Sequence, residues 1–131
     1  MASGSAADPF NFEPAATEIP TATQKRAKAA VVAAAMSLEH GEQVRAMVCG
    51  EYLAHDGVAV LTDRRVVFAN ARTFAPDVHA AALNTLTEVK GWAEKGRATL
   101  RIASATTSFV IGDIKEVDAA QGFAAAVRSN L

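Results

Sequence analysis

Among the side chains of this 131-residue chain that could grip an anion, move a proton, hold a metal or attack an electrophile are thirteen lysines and arginines, three histidines and one cysteine. The histidines, His40, His55 and His79, have no spacing that sets two on one helix face or brings them to a metal from one local motif. Cys49 has no basic residue beside it in the chain to lower its pKa, and it reads as a small core hydrophobe rather than a nucleophile. There is no G-x-S-x-G elbow and no glycine-rich phosphate loop. The expectation is a protein that is not an enzyme and needs no cofactor.

The cations fall into groups that could instead meet a ligand or a partner. Arg64 and Arg65 are adjacent, so on a strand one points each way. They could contact an anion, or hold their own hairpin with Asp63 pairing locally. Arg97 and Arg101 share the outer face of a strand and, with Lys90 on its neighbour, form either a basic stripe or a solvated surface. Trp92 shares a face with Glu88, Lys90 and Glu94, where an exposed aromatic marks a contact. A bulge at Gly91 would return it to the core instead. Lys25, Arg26 and Lys28 stand just before an apolar helical segment.

The elements that position these residues follow from periodicity. Residues 1–20 carry only acidic charges and no period, and read as a flexible arm, with Phe10 and Phe12 as the exception. Residues 21–41 read as a helix, with a capping-box pattern at Thr21 and Gln24 and Gly41 as the C-terminal stop. The period then becomes alternating. Strands are expected over 44–55 and 58–62, turned at Asp56-Gly57, then over 66–70, after a turn at Asp63-Arg64. Further strands follow over 78–82, 87–94, 97–103 and 107–111, with Lys95-Gly96 as a turn. In the strand 97–103, Ala98, Leu100 and Ile102 oppose Arg97, Thr99 and Arg101, as in a half-buried antiparallel strand. A final helix capped by Asp113, with Glu116 completing the box, places Val117, Ala120, Ala124, Val127 and Leu131 on one face, and Phe123 beside it.

The N-terminal helix is unusual. Ala27, Val31, Ala34, Ala35 and Leu38 make one stripe for packing, yet Ala29, Ala30, Val32, Ala33 and Met36 leave the rest apolar too. A helix apolar all round is buried on more than one side. One wall can be its own domain and the other a second chain, which makes Val31, Val32, Met36 and Leu38 candidates for self-association. A rival reading takes Lys25, Arg26 and Lys28 with the apolar segment as an anchor on an anionic membrane. Such anchors carry charge along a whole polar face, whereas here it stops at Lys28. Pairing with Asp8, Glu13 and Glu18 also accounts for the three cations.

Seven meander strands and a closing amphipathic helix, with the run GEQVRAMVCGEYLAHDGVAVLTDRRVVFAN, resemble the bacterial pleckstrin-homology-like (PH-like, GRAM-like) domains. The resemblance rests on Gly41-Glu42, on Leu61-Thr62-Asp63-Arg64-Arg65, on Val66-Val67-Phe68 and on the later TLTEVKGWAEKGRATLRIA. It covers about residues 38–131. It implies a mostly β (α+β) fold: a seven-stranded antiparallel, partly open barrel with a C-terminal capping helix, here over 42–131, to which this chain adds an N-terminal helix. It also implies a binding or scaffolding module. Phosphoinositide-binding relatives grip headgroups through basic residues around the first hairpin. His55-Asp56-Gly57 has none, so that ligand is not expected.

Composition agrees with a small domain. Half the residues are apolar, but thirty are alanine, enough for one modest core. A net charge of −1 supplies no field toward nucleic acid, and one cysteine excludes an internal disulfide. The N-terminal residues show no secretory pattern, Ala29–Met36 falls far short of the roughly 20 residues of a membrane span, and Ala2 excludes myristoylation. The expectation is a cytoplasmic protein, working by contact with itself or another protein, or peripheral to the inner face of the membrane.

Overall fold

A computed structural model describes residues 8–131. The chain runs α1 (Phe12–Ala16), α2 (Thr21–Ser37), β1 (Val44–Tyr52), β2 (His55–Thr62), β3 (Arg65–Asn70), β4 (Val78–Ala82), a 3-10 turn (Leu83–Thr85), β5 (Leu86–Glu94), β6 (Arg97–Ser104), β7 (Ser108–Ile114) and α3 (Val117–Arg128). The strands make one antiparallel seven-stranded sheet in the order β4-β3-β2-β1-β7-β6-β5, which does not close. The fold is mostly β, with a C-terminal helix and helices near the N-terminus.

Alternation along the strands builds two cores. Val48, Ala59, Leu61, Val66 and Phe68 cluster on one side with Leu100, Ile102, Ile111 and Ile114, and with Phe123 and Val127 of α3. Their neighbours Met47, Cys49, Val58, Val60, Val67 and Ala69 point the other way, onto Ala27, Ala30 and Ala34 of α2. Strands β2 and β3 are therefore buried on both faces, which is why they are written as nearly unbroken apolar runs.

The two halves of the sheet meet where Glu51 of β1 pairs with Gly112 of β7. A Cβ on Gly50 would lie 2.3 Å from the Gly112 carbonyl oxygen, so only glycine allows this approach.

The first hairpin turns earlier than its sequence suggests. Tyr52 pairs with His55, and Leu53 and Ala54 make the turn with φ of 51° and 71°. Asp56 and Gly57 lie inside β2 instead. Gly57 is needed there because a Cβ would fall 2.6 Å from Tyr52 Cβ and 3.0 Å from the Ala69 carbonyl oxygen. The turn at Lys95-Gly96 forms where expected, both residues having positive φ.

The helices differ in detail from their sequence patterns. Gln24 donates to the carbonyls of Ala16 and Ile19 rather than closing a capping box, and α2 begins at Thr21 after Pro20, without a side-chain cap. Helix α2 ends at Ser37, because Leu38 is extended and the chain turns so that Glu42 can fold back under it. Gly41 does take a left-handed conformation, φ 84°, but within that turn. Asp113 belongs to β7 and pairs with Arg97, so it does not cap α3. Leu131 lies past the end of α3, half exposed.

Part of the segment read as an arm is built into the fold. The carboxylate of Asp8 accepts from the amides of Phe12 and Glu13 at 2.8 Å, which starts α1. Phe10 and Phe12 pack on the outer core, the Phe10 carbonyl accepts from the Val44 amide at 2.7 Å, and Ile19 is buried. Residues 1–7 of that arm lie outside the described residues.

Left-handed backbone costs a non-glycine residue roughly 1–2 kcal/mol. Ala54→Gly is therefore expected to stabilise the protein by about 1 kcal/mol, read as a higher urea midpoint at unchanged slope. An unchanged or lower midpoint would show that the Leu53-Ala54 turn is not strained.

Candidate interaction surface and the residues behind it

The outward side of α2 is set by what its inward side does. Thr23, Ala27, Ala30 and Ala34 are buried against β1–β3, a row slightly rotated from the expected stripe, with Val31, Ala35 and Leu38 half-buried at its margins. Small side chains let the helix lie close on the sheet. Opposite them, Val32 is 50% exposed and Met36 82% exposed. Lys25, Arg26 and Lys28 are exposed, and none makes an ion pair within 4.0 Å among the described residues. The expected pairing with Glu13 and Glu18 is thus not formed, and Asp8 is engaged at the start of α1.

Two polar contacts fix this orientation. At the N-terminal end, the Thr23 hydroxyl donates to Glu116 at 3.2 Å. At the other, Arg65 extends under the helix: its guanidinium donates to the Ser37 carbonyl at 2.6 Å and to both oxygens of Glu42, at 2.9 and 3.0 Å. Glu42 is fully buried, and the Thr62 hydroxyl donates to it at 2.6 Å. Burial alone would push this carboxyl up, but the hydrogen bonds from Arg65, Thr62 and the Glu39 amide outweigh it and hold the carboxyl below its ordinary range. Arg65 is thereby committed to the interior. Arg64 faces outward, paired with Glu39 at 3.2 Å and beside Asp63 at 4.0 Å.

The stripe on the far half of the sheet is of mixed sign. Lys90 lies directly opposite Arg101, but Glu88 reaches both, at 3.5 and 2.7 Å, and Arg97 pairs with Asp113 at 3.0 Å. Register through Gly91 is regular, the bulge lying at Thr87 instead, so Trp92 stays on the outer face beside Lys90, 47% exposed. These residues are far along the sheet from α2, and the structure does not bring the two sets together.

The reactive side chains do not assemble. Among the described residues no group of three His, Cys, Asp or Glu could hold a metal. All three histidines are exposed, and the ring of His79 shares a 2.7 Å hydrogen bond with the hydroxyl of the buried Tyr52. Cys49 lies at the floor of a cleft of about 260 Å³ edged by Arg26, Asp56, Lys115 and Glu116. A basic side chain thus does approach the thiol, from α2 rather than from its own strand. Burial still dominates and, with Glu116, pushes the Cys49 thiol up to about 12.

Sequence reasoning missed the acid just beyond α2, Glu39, and gave Glu42 no structural role. A Gly-Glu before a strand and an arginine opening the next hairpin strand were the available signals for the buried pair. No helix is long and apolar enough to cross a membrane among the described residues. No protein-family model matches the chain, and a search of curated proteins returns no significant match.

Breaking a buried pair by neutralising one partner costs about 3–5 kcal/mol. Glu42→Gln should lose stability of that order near pH 7. Because the folded carboxyl binds its proton more weakly than the unfolded one, the contribution is complete above the ordinary carboxylate range and fades as pH falls through the lowered folded value. The variant should therefore lack part of the wild type's acid-side loss in denaturation measured against pH; parallel profiles would contradict this assignment. Iodoacetamide should label Cys49 in the native protein at least a hundredfold more slowly than in urea, and comparable rates would show the thiol to be open.

Proposed function

We propose that this protein is a non-catalytic PH-like binding or scaffolding module that acts through protein–protein contacts and self-associates through α2. The PH-like reading is supported by the meander of seven antiparallel strands, the open sheet and the amphipathic C-terminal helix packed on one of its two cores. The observation that carries self-association is the pair of exposed apolar side chains, Val32 and Met36, on a helix whose opposite row is already buried in its own domain.

The strength of such a contact can be bounded. Burying a Val or Met contributes roughly 1.5–3 kcal/mol, and association costs at least about 4 kcal/mol in lost freedom. Two such residues from each copy therefore support at most a weak dimer, with Kd no tighter than roughly micromolar.

Light scattering of the full chain across a concentration series should show mass rising toward a dimer. Val32→Asp with Met36→Asp should abolish the rise without lowering the melting temperature, because both side chains face solvent in the monomer. A wild type that stays monomeric throughout would overturn the reading. If anionic vesicles then float the protein and salt or the two substitutions release it, the exposed row is a membrane contact instead.

A further inference from the structure

The outward row of α2 is polarised in charge. Lys25, Ala29, Val32 and Met36 follow one another at spacings of four, three and four, which on a helix is one nearly straight line. Lys25 and Lys28 lie near its start, exposed and without ion partners among the described residues. Glu39 lies just past its end with its side chain 65% exposed; Oε1 holds Arg64 at 3.2 Å, and Oε2 has no partner among the described residues. Val32 stands midway between Lys25 and Glu39 in the chain.

We propose that the partner of this row is a second copy of the chain, docked with its α2 antiparallel across a two-fold axis at Val32. This rests on the self-association reading and adds the geometry. Under that symmetry Val32 meets its own counterpart, and Met36 of each copy lies over Ala29 of the other, where a small side chain leaves room. Lys25 of each copy faces the other's Glu39. Seven helical residues place Lys25 roughly 10 Å from the axis, and Glu39 stands the same number of residues to its other side, just past the helix end where the chain turns toward Glu42. A parallel pair would set Lys25 against Lys25, and an anionic bilayer would meet Glu39 with repulsion. The two helix dipoles also oppose each other only in the antiparallel arrangement.

Charge reversal separates this geometry from self-association in general. Lys25→Glu alone and Glu39→Lys alone should each weaken self-association about tenfold, since the repulsion appears twice in a symmetric pair. An equimolar mixture of the two variants should recover the wild-type Kd as a heterodimer, because both contacts are then again of opposite sign. Both positions are exposed, so unchanged melting temperatures serve as the folding control. A wild type that dimerises while the variants match it would overturn the antiparallel docking and leave self-association standing. A monomeric wild type would overturn both. Vesicle binding weakened by Lys25→Glu and strengthened by Glu39→Lys would overturn the second copy in favour of an anionic surface.

Discussion

A carboxylate with no access to water must be fully paired, and the pair that Glu42 makes with Arg65 decides how the N-terminal helix meets the sheet. The guanidinium opens β3, reaches the carboxylate that precedes β1, and closes on the last carbonyl of α2. Thr62, itself buried, adds its hydroxyl to the same carboxylate and accepts from the amides of Arg64 and Arg65, so the β2–β3 turn belongs to the network. Planar, bidentate recognition is what arginine does and lysine cannot. With Thr23 held by Glu116 at the other end, α2 is fixed in rotation as well as position. Its inward and outward rows follow from these two anchors.

That orientation gives the sheet two cores. A half-buried antiparallel sheet would leave the outer sides of β2 and β3 wet; here alanines of α2 cover them, assisted by Phe10, Phe12 and Ile19. The N-terminal segment is therefore part of what makes the apolar β2–β3 pair soluble. The association proposed for the remaining apolar row would use side chains that this packing does not need. The same helix can serve the domain on one side and a partner on the other.

Much of this was legible in the residues. The seven strands, the final helix and the outward side of β6 could be read from turn residues, apolar runs and spacing, with a clear period of two in β6. Trp92 could be placed on either face until the bulge was located at Thr87 rather than Gly91. The first turn was misread because Asp56-Gly57 satisfies a local rule while the fold uses that glycine for a close strand contact. Local preference loses there to a steric constraint between residues far apart in the chain. The end of α2 was misplaced for a similar reason, since it is set by Arg65, a residue 28 positions away from the carbonyl it caps. The continuous apolar runs of β2 and β3 are the mark of strands covered on both faces, but nothing in those runs names α2 as the cover. The charge asymmetry between Lys25 and Glu39 gained meaning only once the outward row was known.

The central claim is that α2 is integral to the fold and presents only its outer row. Native-state amide hydrogen exchange tests it directly, comparing Ala27, Ala30 and Ala34 with Val58, Val60 and Val67 at a concentration where the chain is monomeric. The helix amides should exchange in the same slow class as the strands, opening only with the whole sheet. Helix amides that exchange orders of magnitude faster, while the strands stay protected, would contradict it and make α2 an appendage.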